Sequence, residues 1–307
     1  MSVVVRRVGP EAAADVLAVV REAFGARPAL DPPADALGED VDSVARLLGG
    51  RGGLLATIDD VPVGCAVLDP RPDGMVLRRF GVAPGAQGRG VAAALVDAAR
   101  AASVGREAVV VVAREELPDT IRFWERHGFV ETSRSAPYVE LALALGTTFD
   151  VPDAEAMRDL GERVGHSLGA GDLVVLTGEL GAGKTTFTQG LGTGLQVRGG
   201  VTSPTFVIAR VHPSLVGGPD LVHVDAYRLG GLAELDDLDL DTSLDTAVTV
   251  VEWGAGLAEA LADARLEVVI ERAVGQAPDA GQDDGLDPAL DPPLDPRRVS
   301  LRWVLGQ

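Results

Sequence analysis

One string constrains the second half of this chain more than any other feature. Gly178-Glu179-Leu180-Gly181-Ala182-Gly183-Lys184-Thr185, followed by Thr186, fits G-x-x-x-x-G-K-T at every position. Glycines at these places let the backbone close into a concave ring whose N–H groups face phosphate oxygens, and the helix that follows adds its N-terminal partial positive charge. The apolar residues 172–177 predict a strand entering the loop, and a helix is expected to leave it and run to about residue 191. Of 27 basic side chains only Lys184 is a lysine. In that position its ammonium is expected to reach the β- and γ-phosphates of a nucleotide, and the Thr185 hydroxyl to face Mg²⁺.

Hydrolysis needs a further carboxylate near the metal and a group that orients water. Asp225 ends the apolar run Leu221-Val222-His223-Val224, and Glu252 ends Ala247-Val248-Thr249-Val250-Val251. Both are candidate catalytic and metal-holding groups, although a carboxylate at a strand end is also an ordinary solvated group. Thr202-Ser203-Pro204-Thr205 precedes a predicted strand at 206–211, where a hydroxyl that senses the γ-phosphate would sit; a plain turn uses the same residues. Trp253 reads equally as core or as a stacking surface.

These four segments, with Phe206, His223-Val224-Asp225-Ala226-Tyr227-Arg228-Leu229 and Val251-Glu252-Trp253, resemble the TsaE family in order and spacing. TsaE proteins are ATPases of tRNA threonylcarbamoyladenosine biosynthesis. The resemblance covers residues 147–307 apart from an acidic stretch. It implies a P-loop NTPase-like αβα domain, Mg-dependent ATP hydrolysis and action with a TsaB–TsaD-type complex. It also implies a nucleotide site of Gly178 to Thr186, with Lys184, Asp225 and Glu252 catalytic and with Thr185, Asp225 and Glu252 at the metal. Many members carry another acidic residue soon after the tryptophan, where this chain has Gly254-Ala255.

The first half alternates strand-like and helix-like segments: 2–8, 54–58, 61–68, 75–82, 108–113, 129–132 and 138–144 as strands, 10–24, 88–102 and 118–127 as helices. Val82 ends a strand, and Gln87-Gly88-Arg89-Gly90-Val91-Ala92 turns into a helix, presenting backbone N–H groups to a pyrophosphate. With Arg122-Phe123-Trp124-Glu125-Arg126-His127-Gly128-Phe129, this resembles the GNAT superfamily of N-acetyltransferases over residues 1–145. The resemblance implies a mixed sheet with flanking helices and an acetyl-CoA site at Val82 and Gln87 to Ala92. Where many members place an acidic tyrosine this chain has Trp124, whose indole cannot give up a proton near neutral pH. The amine acceptor is unknown, and either transfer or a non-catalytic acyl-CoA sensor fits. His127 reads as a helix-capping residue and Cys65 as core rather than nucleophile.

The fold class is therefore α/β with two domains, 1–145 and 146–307. Residues 148–307 carry a net charge of −15, against −4 for 1–147. A polyanion-binding surface is normally basic, so tRNA is expected to be met only through partners. A single cysteine excludes an internal disulfide, no run is long and apolar enough for a membrane, and the chain reads as cytoplasmic. The stretch 275–296 holds six Asp and no basic residue, and predicts a disordered insertion between two hairpin strands.

Overall fold

The computed structural model describes residues 2–72, 74–204, 207–228, 245–256, 258, 261–262, 264–272 and 296–305. The predicted acidic insertion up to residue 295, Thr205, Phe206 and Leu229 lie outside the described residues. The chain divides into two compact units, Met1–Leu145 and Gly146–Gln307.

In the first unit, β1 (Val3–Val8), β2 (Gly53–Ile58), β3 (Val61–Arg71) and β4 (Gly74–Val82) form an antiparallel run. The two-residue turn Asp59-Asp60 takes positive φ at both positions, the geometry whose twist matches a tight hairpin. The sheet continues through β5 (Ala108–Arg114), β7 (Tyr138–Ala144) and β6 (Val130–Ser135), in the order β1-β2-β3-β4-β5-β7-β6. Helices α1 (Ala13–Gly25), α2 (Val41–Leu48), α3 (Val91–Ala101) and α4 (Pro118–Arg126) complete it. Leu54, Leu68, Leu95, Leu141 and Trp124 belong to one core, and Val16, Val20, Leu48, Leu55 and Cys65 to a second. Each such aliphatic side chain contributes about 1.5–3 kcal/mol on burial. Burial also pushes the Cys65 thiol up to about 12, so it stays a protonated core residue. Helix α2 was not predicted. It is eight residues long and starts on a capping box of Asp40 and Ser43 rather than the Glu or Gln pattern that marks such a start in sequence.

One feature of this sheet shapes a cleft. β4 and β5 are parallel but pair only at Met75–Val109 and Val76–Val110, after which they part.

In the second unit β9 (Leu173–Gly178) lies at the centre of the order β10-β11-β12-β9-β13-β14-β8. β11 (Asp220–Asp225), β12 (Ala247–Glu252), β9 and β13 (Arg265–Arg272) are mutually parallel; β10 (Ala209–His212), β14 (Arg297–Val304) and β8 (Thr148–Val151) are antiparallel additions at the edges. β9, β11 and β12 are buried on both faces, which is why they read as unbroken apolar runs, whereas β13 alternates buried with exposed or half-buried positions. β8 falls where the sequence shows only a break in pattern, because its partner β14 is about 150 residues away in the chain. β10 begins later than predicted, at Ala209 rather than 206.

Helices α5 (Ala154–Ser167) and α6 (Lys184–Gly194) approach through glycines. A Cβ at Gly190 would stand 2.0 Å from the Arg158 carbonyl oxygen, and one at Gly161 would stand 2.2 Å from that of Phe187. Side chains there would force the helices apart. This contact seats α6, and with it the loop between β9 and α6.

Candidate functional site

The chain leaves β9 at Gly178 and enters α6 at Lys184, so residues 178–184 form a turn at the carboxyl end of the central strand. Gly181 and Gly183 take φ of 77° and 109°, left-handed values that side chains resist. Ala182 is buried, whereas Leu180 and Glu179 face solvent. Thr186 is half-buried in the first turn of α6. Arg297, which sequence reading did not single out, braces the loop from β14: its Nε donates to the Ala182 carbonyl at 3.1 Å and Nη2 to that of Gly181 at 3.4 Å. No local signal marks a partner 115 residues away.

Lys184 is 5% exposed. Its Nζ donates to the carbonyls of Gly178 at 2.8 Å and Glu179 at 3.0 Å, and lies 3.7 Å from the centroid of the Trp253 ring. Burial holds its pKa below the ordinary lysine value, opposed by the charges of Glu252 and Asp225. Trp253 reaches this place on a φ of 62°, and the Tyr227 ring lies tilted against it with centroids 5.2 Å apart.

Asp225 and Glu252 are register partners at the carboxyl ends of β11 and β12, and β12 lies beside β9. Both are buried. Thr185 Oγ1 donates to Glu252 at 3.1 Å, and His223 Nε2 donates to the same carboxylate at 2.8 Å. His223 is fully buried and its Nδ1 has no partner among the described residues, so Glu252 is its single anchor there. Asp225 accepts from Ser203 Oγ at 3.4 Å and from the Tyr227 backbone N–H at 3.1 Å. Thr185, Lys184 and Glu252 are thus in one cluster, with Asp225 on the strand beside Glu252. The donors are a hydroxyl and two carboxylates, all oxygen, which suits a hard cation such as Mg²⁺.

The first unit holds a cleft of about 680 Å³. Val82, Gln87 and Ala92 line it, as do Phe24, Arg27 and Asp35. Gly88 and Gly90 take positive φ, and Gly90 caps α3 with Val91 as the first helical residue. The Val91 side chain is buried in the core, so only its backbone is presented; Arg89 is exposed. Trp124 is 4% exposed, edge-on to Phe80 and Phe129, and fills a core position. His127 closes α4, its Nδ1 2.8 Å from the Phe123 carbonyl. Tyr138 lines the cleft with Arg114 over its ring.

The sequence model of the family described as Threonylcarbamoyl adenosine biosynthesis protein TsaE matches residues 151–277, and that of the Acetyltransferase (GNAT) domain matches 50–131. A tRNA threonylcarbamoyladenosine biosynthesis protein TsaE of Streptomyces coelicolor is 72% identical over 104 residues, 34% of this chain and 70% of that protein. The protein of the same name from Mycobacterium tuberculosis H37Rv is 51% identical over 136 residues, 42% of this chain and 81% of its own. Among solved structures, Bacillus subtilus YdiB is 28% identical, covering 52% of this chain and 85% of its own, with a TM-score of 0.38. The glycine-rich loop with its two strand-end carboxylates, and relatives matched over more than two thirds of their length, lead to one assignment: the chain belongs to the TsaE family, with a GNAT acetyltransferase domain fused before the TsaE domain.

Proposed function

We propose that residues 146–307 form an Mg-dependent ATPase domain serving tRNA threonylcarbamoyladenosine synthesis with TsaB- and TsaD-type partners, and that residues 1–145 form an acyl-CoA-binding transferase domain. The observation that carries the first reading is the contact of Thr185 with Glu252 beside Lys184. The loop N–H groups of residues 178–186 and Lys184 grip the nucleotide phosphates. Thr185, Asp225 and Glu252 would hold Mg²⁺, which supplies charge neutralisation on the phosphate oxygens when bound. Glu252, oriented by His223, positions the attacking water.

The −15 balance of residues 148–307 supports a role beside tRNA rather than on it. In cells depleted of their own TsaE, the full chain is expected to restore threonylcarbamoyladenosine. Purified protein should bind isolated tRNA poorly at physiological salt yet associate with a TsaB–TsaD complex. Tight, salt-sensitive tRNA binding by the chain alone contradicts this reading.

In the first domain, the β4–β5 gap and the turn at Gln87 to Ala92 would take the pantetheine and pyrophosphate of acetyl-CoA. The supporting observation is that Val82, Gln87 and Ala92 line one cleft with the parted strands. The Trp124 indole does not release its N–H proton near neutral pH, so we assign protonation of the leaving thiolate to Tyr138, the only phenol of this unit and a lining residue of the cleft. Acetyl-CoA is expected to raise the unfolding temperature of the chain by mass action, and Gly90→Glu to remove that protection by placing charge and bulk at the pyrophosphate. Tyr138→Phe should lower acetyl transfer by about a hundredfold while leaving acetyl-CoA affinity unchanged. Acetyl-CoA binding without transfer to any amine favours the sensor reading instead.

A further inference from the structure

The cleft of the first unit carries more positive charge than its own carboxylates neutralise. Five arginines line it: Arg27, Arg71, Arg78, Arg79 and Arg114. Three are spoken for, Arg78 by Asp69, Arg79 by Glu39 and Arg114 by Glu116, and Arg71, the last residue of β3, makes no ion pair among the described residues. Arg27, two residues beyond α1, is different. Its guanidinium stacks 3.7 Å from the centroid of the Phe24 ring and gives one hydrogen bond, at 3.3 Å, to the Phe80 carbonyl. Among the described residues no carboxylate pairs with it. The two acidic side chains along the cleft do not serve: Asp119 holds Arg122, and Asp35 makes no ion pair among the described residues. A guanidinium has five N–H donors in a rigid fork, and among the described residues this one, lining the cleft, gives only the bond to the Phe80 carbonyl. Burial opposes its charge, lowering its pKa, and among the described residues no counter-ion offsets that cost.

The wall on which Arg27 stands is fixed. Arg114, at the end of β5, donates to the carbonyls of Asp31 and Pro32 at 2.7 and 2.8 Å and so ties down the α1-to-α2 segment. Gln87 and the start of α3 face the same cleft from the element that follows β4.

We infer that this cleft takes, as acyl acceptor, a primary amine that also bears an anionic group, carboxylate or phosphate, and that Arg27 is the side chain that recognises the anion. The inference rests on the acyl-transfer reading of the first domain. In the transfer, the lone pair of the neutral amine forms the C–N bond to the thioester carbonyl carbon. The C–S bond breaks with its electron pair leaving on sulfur. Of the two protons an ammonium must lose, one goes to solvent before attack and one ends on the thiolate, giving amide and free thiol. Arg27 takes no part in these steps; it binds the acceptor and is a specificity residue.

The test uses the full chain. Calorimetry first measures acetyl-CoA binding, then titrates coenzyme A-saturated protein with L-glutamate, O-phosphoethanolamine, ethanolamine and spermidine; acetyl transfer to each is followed in parallel. At least one of the anionic amines is expected to bind tenfold or more tightly than ethanolamine and spermidine, with kcat/KM in the same order, and the first two arms separate carboxylate from phosphate. Arg27→Gln should erase that preference, Arg27→Lys should keep part of it, and neither should alter acetyl-CoA affinity. Equal or tighter binding of ethanolamine or spermidine by the wild type overturns the inference, as does an equal loss for all amines in Arg27→Gln. If acetyl-CoA itself fails to bind, the acyl-transfer reading falls and takes this one with it; if acetyl-CoA binds and the anion preference is absent, only the acceptor assignment falls.

Discussion

Replacing Lys184 with alanine is expected to weaken ATP binding by about tenfold to a hundredfold or more, as read by calorimetry on the full chain. A hydrogen bond to a charged group contributes about 1.5–3 kcal/mol, which converts to that range. The lysine is already positioned: two loop carbonyls at 2.8 and 3.0 Å and the Trp253 ring at 3.7 Å hold its ammonium beside the loop. Little side-chain entropy remains to be lost when phosphate arrives. Its charge is also partly desolvated, which strengthens attraction to a phosphate oxygen relative to the same charge in water. Lys184→Arg should fail as well, because a planar guanidinium is wider than the ammonium seated between the Gly178 and Glu179 carbonyls and the indole. Glu252→Gln offers the contrast. It keeps the shape of the Thr185 and His223 contacts but loses the charge, so ATP should still bind while turnover falls by about a hundredfold or more. A Lys184→Ala protein with unchanged ATP affinity would sink the assignment of residues 178–186 as the phosphate cradle.

Gly190→Ala should destabilise the second unit by about 2 kcal/mol, lowering its melting temperature by roughly 4–8 °C. Two effects compete. Alanine is favoured over glycine inside a helix by about 1 kcal/mol, and α6 would gain that. Against it, the new Cβ would stand 2.0 Å from the Arg158 carbonyl oxygen, a backbone atom that no rotamer change can move. Overpacking costs about 1–3 kcal/mol and more where backbone must shift, so the clash wins. Gly161, Gly165 and Gly194 make equally close approaches across the same pair of helices, at 2.2, 2.4 and 2.3 Å, and leave no slack elsewhere in the contact. Gly200 is the control: nothing lies within 4 Å of its Cβ direction, and Gly200→Ala should change stability by less than about 0.5 kcal/mol. Thermal unfolding of the two variants side by side decides the point, and equal melting temperatures would show that α5 and α6 can separate without cost.

How much of the site was legible beforehand differs from residue to residue. The loop at residues 178–186 was readable as a shape because that shape lies in the local backbone: positive φ at Gly181 and Gly183, then a helix start. Asp225 and Glu252 were readable because each closes an apolar run, and parallel strands in register bring such ends side by side. His223 sits inside one of those runs, where alternation marks only burial; its bond to Glu252 depends on two strands pairing across 29 residues. Helix α2 and strand β8 were missed for related reasons. The first is short and capped by an uncommon pair, and the second pairs only with a strand far along the chain.

Apart from α2 and β8, the local elements, the glycine-rich turn after β9, the turn at Gln87 to Ala92 and the two-domain order are legible in short windows of sequence, because φ/ψ preference, apolar period and glycine placement act over a few residues. Tertiary structure decided what each side chain is for. It put Trp253 against Lys184 instead of in the core, and made Trp124 a core residue among Phe80 and Phe129. It bent Arg297 onto the loop carbonyls and gave Arg78, Arg79 and Arg114 their carboxylates while giving Arg27 none among the described residues. Charge pairing and close packing are settled by distance in space, and distance in space follows from strand register and helix packing that no short window of sequence contains.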